Sequence, residues 1–163
     1  MKIKELVKLG HKIEDNYDEK VIRRLSDMET FYRDQKKVDS ILEEDNPLIY
    51  EVFIKKSDVF NYGVTVIYPG TVDKEYYMTK GHVHEKLSSE TYVLIEGSGK
   101  LLIQKGDDVQ VIDFVKNKEI IVPEGYAHRA INTSNKKLKF LAIYDPECGH
   151  DYNVFFKKRF FKK

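Results

Sequence analysis

Residues 78–90 read Met78-Thr79-Lys80-Gly81-His82-Val83-His84-Glu85-Lys86-Leu87-Ser88-Ser89-Glu90, and residues 123–128 read Pro123-Glu124-Gly125-Tyr126-Ala127-His128. Together the two stretches offer three imidazoles and one carboxylate at metal-ligand spacing. His82 and His84 are two apart, so in extended backbone both rings leave the same face of a sheet and converge on one ion. On a helix the same pair diverges by about 200°. The chain has five histidines in 163 residues; three fall here, and a fourth, His150, sits in the run Gly149-His150-Asp151-Tyr152. A bare His-x-His pair is more often a turn cap or a solvent-facing pair. Glu90 and His128, each framed by strand and turn residues, make a four-ligand site the better reading. Bound imidazole must be neutral and bound carboxylate ionised, so metal affinity is expected to fall as pH drops through roughly 6 to 5.

Outward from this centre, residues 48–54, 62–68, 76–79, 90–95, 100–104, 109–114, 119–122, 127–132 and 138–144 are short apolar or aromatic runs. They are separated by turn chemistry: Pro69-Gly70-Thr71, Glu96-Gly97-Ser98-Gly99, Gly106-Asp107-Asp108 and Pro123-Glu124-Gly125. About eight or nine strands at this spacing predict an antiparallel sandwich or barrel, not a parallel sheet with crossover helices. Before Pro47 the texture differs. Leu6, Leu9 and Ile13, then Val21, Leu25 and Met28, recur at loosely helical intervals among many charges. Ser26-Asp27 is a candidate cap, and residues 38–42 a short helix ended by Asn46-Pro47. The expected organisation is an N-terminal extension (1–46) packing on the barrel or on a partner subunit, a barrel (47–154) and a basic tail (155–163). The tail, Lys157-Lys158-Arg159-Phe160-Phe161-Lys162-Lys163, is expected to be solvated and partly frayed.

A chain of this length with 41 % hydrophobic residues fits one domain with a real core. Its 28 basic and 27 acidic residues are mixed throughout, leaving a net charge of +1 and no one-sided basic face for nucleic acid. Cys148 is the single cysteine, which excludes an internal disulfide and suits a reducing compartment. Met1-Lys2-Ile3-Lys4-Glu5-Leu6 places charges where a secretory leader needs an apolar stretch, and no run approaches the roughly 20 apolar residues of a membrane span. The expectation is a soluble cytoplasmic protein with no nucleic-acid or membrane partner.

The two opening stretches resemble the paired signatures of the cupins. His82, His84, Glu90 and Gly97 align with the first signature, and Pro123, Gly125, His128 and Asn132 with the second. Two departures are visible. Five residues separate His84 from Glu90, against about three or four in most cupins, and Asn117 fills an expected glycine, where asparagine tolerates a left-handed turn. Within the cupins the chain resembles the cupin-type, or archaeal-type, phosphoglucose isomerases. The stretches that carry this are Leu25-Ser26-Asp27-Met28, Ile49-Tyr50-Glu51-Val52, Thr65-Val66-Ile67-Tyr68-Pro69-Gly70-Thr71, Thr79-Lys80-Gly81-His82-Val83-His84, Ala127-His128-Arg129, Phe140-Leu141-Ala142-Ile143-Tyr144 and Gly149-His150-Asp151-Tyr152.

The resemblance implies an all-β cupin double-stranded β-helix, or jelly roll, with a short, partly helical N-terminal extension. It also implies a metal-dependent isomerase that interconverts glucose 6-phosphate and fructose 6-phosphate in glycolysis and gluconeogenesis. His82, His84, Glu90 and His128 would hold one divalent ion, with iron(II) the leading candidate and nickel, manganese and zinc also suited by ligand type. Glu90, His150 and Tyr152 would take catalytic roles. Tyr50, Thr65, Thr79, Lys80, Gly81, Tyr92 and Tyr144 would bind substrate, the threonines and Gly81 near the phosphate. Lys80 reads equally as a surface lysine, and most of the 11 tyrosines read as filling between sheets. A homodimer is implied, with residues 25–28 lending a strand to a neighbour's sheet. The alternatives are a cupin iron oxygenase and a non-catalytic sugar-phosphate-binding cupin.

Overall fold

The strand-length runs after Pro47 become strands where the alternation marks them. In the computed structural model, which describes residues 1–163, the chain opens with α1 (Ile3–Asp15), β1 (Glu19–Arg24), the single turn α2 (Leu25–Met28), a 3-10 turn (Glu29–Phe31) and α3 (Gln35–Leu42). There follow β2 (Leu48–Lys55), β3 (Asn61–Ile67), the short β4 (Thr71–Val72) and β5 (Glu75–Tyr76), β6 (Glu90–Glu96), β7 (Lys100–Lys105), β8 (Asp108–Asp113), β9 (Glu119–Val122), β10 (Ala127–Ile131) and β11 (Leu138–Tyr144). A six-stranded sheet runs in the order β1-β2-β3-β11-β6-β9, and a three-stranded sheet in the order β10-β7-β8. Their pairings are all antiparallel. This is the jelly roll with a partly helical N-terminal extension.

The core lies between the sheets. Ile67, Leu94 and Phe140 from the larger sheet pack in one buried cluster with Leu101, Ile103, Ala130 and Ile131 from the smaller. Because side chains alternate along a strand, the neighbours of these residues emerge on the outer face, where Val64, Val66, Val93 and Leu141 meet Leu6 and Ile13 of α1 in a second cluster. The helix comes very close to the sheet at Gly10, where a Cβ would collide with Ile95 Cδ1.

Three expectations from the sequence need correction. Val21 does not share a helix with Leu25 and Met28: it lies in β1, which pairs with β2 through Val21 opposite Val52 and Arg23 opposite Tyr50. The ladder to β2 outweighs a weak local helical pattern. Residues 25–28 lend no strand to a neighbour, being a buried helical turn whose start is capped by Asp27 Oδ2 accepting the Arg24 N–H at 2.8 Å. Of the run 76–79 only Tyr76 is in a strand; beyond it the backbone makes single bridges, because the Thr79 and Lys80 carbonyls accept from the Arg129 guanidinium at 3.1 and 2.7 Å.

The tail is not frayed. Phe156 is buried against Gly81 and the Arg129 guanidinium, and Arg159 donates to Glu75 Oε2 at 2.8 Å and to the Phe31 carbonyl at 3.1 Å. Replacing Phe156 by Ala is therefore expected to cost about 3 kcal/mol in denaturant unfolding, from lost burial and the cavity left behind. Its neighbour Phe155, 80 % exposed, is expected to change stability by less than about 0.5 kcal/mol on the same substitution.

Candidate metal centre

Two backbone hydrogen bonds bring the two ligand segments together. His82 N donates to His128 O at 3.1 Å, and His128 N donates to His82 O at 2.9 Å, so the two histidines face each other as a bridge pair. His84 follows two residues after His82, on the same side of the extended segment. Glu90 opens β6 on the inner face of the larger sheet. Next to Val83 lies Asp151, joined by Val83 N to Asp151 O at 3.0 Å and Asp151 N to Val83 O at 2.8 Å. That pairing brings His150 and Tyr152 to the same centre: the His150 ring centroid is 4.3 Å from that of His82 and 6.1 Å from that of Tyr152.

The hydrogen bonds of the rings decide which nitrogen is available. His84 Nδ1 lies 3.0 Å from the Ser88 carbonyl oxygen, and His128 Nδ1 lies 3.1 Å from that of Tyr126. A carbonyl only accepts, so Nδ1 carries the hydrogen and Nε2 of the neutral ring is a bare lone pair. Nε2 of His84 and of His128 each lie 2.9 Å from Glu90 Oε2, and Nε2 of His82 lies 3.9 Å from it. Lone pairs aimed at a carboxylate oxygen repel, so a proton or a cation must stand among them. Nε2 of His82 and of His128 are buried without a hydrogen-bond partner, which means the short His128 to Glu90 approach is not itself a hydrogen bond. The four donor atoms lie within 4.8 Å of one another, and this donor set fits a divalent ion. Ser88 belongs to the longer spacer before Glu90, so the extra length supplies the carbonyl that orients His84.

Charge inside the cluster is distributed unevenly. Burial pushes His82 down to about 4. Burial also acts to lower His84, but hydrogen bonds to Cys148, Glu90 and Ser88 and the Glu90 charge outweigh it and raise His84 to about 10. Burial would raise Glu90, yet the surrounding imidazoles, His128 first, hold it well below the usual carboxylate range. A proton on His84 thus neutralises Glu90 when no cation does.

A cavity of about 150 Å³ adjoins the cluster, and its walls include His82, Glu90 and His128 together with Tyr50, Thr65, Thr79, Gly81, Tyr92, Tyr144, His150 and Tyr152. His84 lies behind the cavity wall. Lys80 is not part of the wall: its ammonium lies 5.8 Å from the Tyr152 ring centroid and 5.7 Å from that of Phe31, while its backbone N–H donates to the Tyr50 hydroxyl at 3.3 Å. Burial first, then the Arg23 charge, lowers the Lys80 pKa. Three residues given no site role from the sequence also belong here. Arg23 lines the cavity from β1. Arg129, lowered to about 10 chiefly by burial, holds the segment 79–80 in place. Cys148 is buried within ligand distance of His84 and His150. None carried a local signal: β1 is short and polar, Arg129 acts across the fold, and a lone cysteine has no spacing to read.

Fold and cluster together define a cupin with a candidate divalent-metal centre. The solved oxalate decarboxylases of Bacillus subtilis and Lactobacillus farciminis share the fold, with TM-scores of 0.52 and 0.53 over 63 % and 62 % of this chain. At 18 % and 19 % identity, and with the matches taking in only 26 % and 30 % of those longer chains, the likeness concerns architecture alone. The chain belongs to the glucose-6-phosphate isomerase family, whose sequence profile matches residues 22–161. Among its relatives, the glucose-6-phosphate isomerase of Pyrococcus furiosus is 39 % identical and that of Thermococcus litoralis 38 %, each over 149 residues, covering 88 % of this chain and 79 % and 78 % of theirs.

The proton on His84 sets the pH dependence. Its folded pKa lies above the ordinary histidine value of 6.5, so its stabilising effect on the metal-free protein is complete below that value and is lost as pH rises through about 10. Metal binding must displace this proton, so proton competition extends well above the window of 6 to 5 expected from ordinary histidines. The gain in Tm on adding a divalent ion to chelator-treated protein is expected to widen from pH 7 to pH 10, and calorimetry in buffers of different ionisation enthalpy is expected to show about one proton released per ion bound near neutral pH. A gain independent of pH would refute this charge distribution.

Proposed function

We propose that this chain is a metal-dependent aldose-ketose isomerase that interconverts glucose 6-phosphate and fructose 6-phosphate, the step shared by glycolysis and gluconeogenesis. The observation that carries the reading is one cavity whose walls hold His82, Glu90 and His128 of the cluster together with a set of uncharged donors suited to a phosphorylated sugar. Membership of the glucose-6-phosphate isomerase family agrees with it. We propose His82, His84, Glu90 and His128 as the ligands of one divalent ion, iron(II) first. A cation there would stabilise the negative charge that develops on O1 and O2 of the open-chain sugar.

The protein's own groups do the rest. Thr79 Oγ1 already accepts the Ala130 N–H at 3.1 Å, which leaves its hydrogen to donate to a phosphate oxygen. The Gly81 N–H donates to no protein acceptor, and the backbone at Gly81 is left-handed with φ of 73°, a conformation glycine adopts freely. With Thr65 these donors form the phosphate end, and Lys80 adds charge from outside the wall. Tyr50, Tyr92 and Tyr144 enclose the sugar. Isomerisation moves a hydrogen between C2 and C1; in the enediol route Glu90 is the proposed base, and His150 and Tyr152 assist ring opening and proton relay. The barrel, residues 47–154, carries most of these groups, with residues 1–46 and 155–163 closing around it.

No helix is long and apolar enough to cross a membrane. We propose a cytoplasmic homodimer, its contact formed through the outer edge of β1 and the exposed Tyr17 and Ile22 at that strand, to be checked by sedimentation.

Metal-loaded protein incubated with fructose 6-phosphate is expected to form glucose 6-phosphate, with turnover abolished by chelation and reduced more than about 100-fold by His84→Ala, which removes a ligand and exposes its neighbours' charges. Thr65→Val is expected to raise KM about tenfold with kcat little changed. Tight sugar-phosphate binding without product would instead indicate a sensor, and oxygen consumption with an unphosphorylated substrate an oxygenase.

A further inference from the structure

Arg23 is an unpaired cation facing the cavity. It lies on β1 opposite Tyr50 of β2, and the bulge that follows it separates it from Arg24, whose guanidinium turns away to the Asn46 carbonyl at 3.1 Å. Side-chain alternation puts Val21 and Arg23 on the inner face with Tyr50, Val52 and Thr65, and all five line the cavity. The Arg23 Nε is buried and has no hydrogen-bond partner, the guanidinium otherwise meets the uncharged Tyr50 hydroxyl, and no carboxylate stands within ion-pair distance of it. Lys80, whose backbone N–H meets the Tyr50 hydroxyl, is a second cation without a carboxylate partner on the same side. A buried donor left unmatched is costly, and two unpaired cations near one another repel, so the arrangement calls for an anion from outside the chain.

We propose that Arg23 grips the phosphate group of the substrate and is a specificity-determining residue for phosphorylated over unphosphorylated hexose. This rests on the isomerase reading for the identity of the anion. The planar guanidinium suits bidentate contact with phosphate oxygens, which a lysine supplies only as a point charge. The N-terminal strand is thereby part of the substrate site, and the cavity has two poles: the imidazole and carboxylate cluster for the reacting carbons, and the Arg23 end for the phosphate.

The test compares wild type, Arg23→Met and Arg23→Lys as metal-loaded full-length protein. KM and kcat are read with fructose 6-phosphate, and Kd by calorimetry with 6-phosphogluconate and with gluconate. Arg23→Met is expected to raise KM and the 6-phosphogluconate Kd about tenfold to 100-fold, change kcat less than about threefold and leave gluconate binding within about twofold. Arg23→Lys is expected to recover part of the loss. KM and Kd within about twofold of wild type in Arg23→Met, or equal weakening of both ligands, overturns the proposal. Should Arg23→Met fail to fold by circular dichroism, Arg23→Gln replaces it, and failure of both shows a structural arginine and overturns the proposal as well. Arg23-dependent binding of 6-phosphogluconate without isomerisation would sink the isomerase reading and leave this site standing; isomerisation indifferent to Arg23 does the reverse.

Discussion

The reciprocal backbone hydrogen bonds between His82 and His128 are the constraint on which the site depends. They join a segment that precedes β6 to the strand β10 of the smaller sheet, across 46 residues of sequence, and they do so at the ligands themselves. Backbone bonds of this kind are insensitive to what the side chains hold, so the two imidazoles face each other whether a proton or a metal ion lies between them. His84 and Glu90 then follow from chain geometry, the first by the two-residue strand period and the second by opening β6 on the inner face.

That placement creates an electrostatic demand that the fold alone does not meet. Three Nε2 atoms converge on a single carboxylate oxygen in a buried setting, and two of the rings have their hydrogens committed to backbone carbonyls on the far side. A proton on His84 is one answer and a divalent cation the fuller one, since it satisfies all four donors at once. The same logic operates at the other end of the cavity, where Arg23 and Lys80 lack anionic partners. The cavity thus has an unmet need for positive charge at one pole and for negative charge at the other, which is what supports the proposed phosphorylated, metal-coordinating ligand.

Both ends of the chain are drawn into this arrangement. Residues before Pro47 supply β1 and the cover of the outer sheet face, and the tail packs Phe156 between Gly81 and Arg129. Arg129 is the hub: its guanidinium ties the Thr79 and Lys80 carbonyls while its face stacks on Phe156 at 4.3 Å. The donors proposed for phosphate are therefore held by contacts from the core of the barrel and from the last residues of the chain, which limits their motion when a ligand arrives.

Much of this was legible in the amino-acid order. The strands after Pro47 announced themselves because turn residues punctuate short apolar runs, and Asn117 does adopt the left-handed conformation, with φ of 64°, that its place in the motif required. The convergence of His82, His84, Glu90 and His128 was readable because His-x-His spacing and the Pro-x-Gly-x-x-His run constrain geometry locally. Hidden were β1, whose residues carry a loosely helical pattern while its pairing energy comes from β2, and with it Arg23. Hidden also were the docked tail and the raised pKa of His84, because burial and neighbouring charge exist only after distant segments meet. The sequence by itself determined which groups were available for metal and phosphate chemistry, through short-range spacing; only the tertiary structure decided which of them face one cavity and what charge each carries there, because both depend on contacts between residues far apart in the chain.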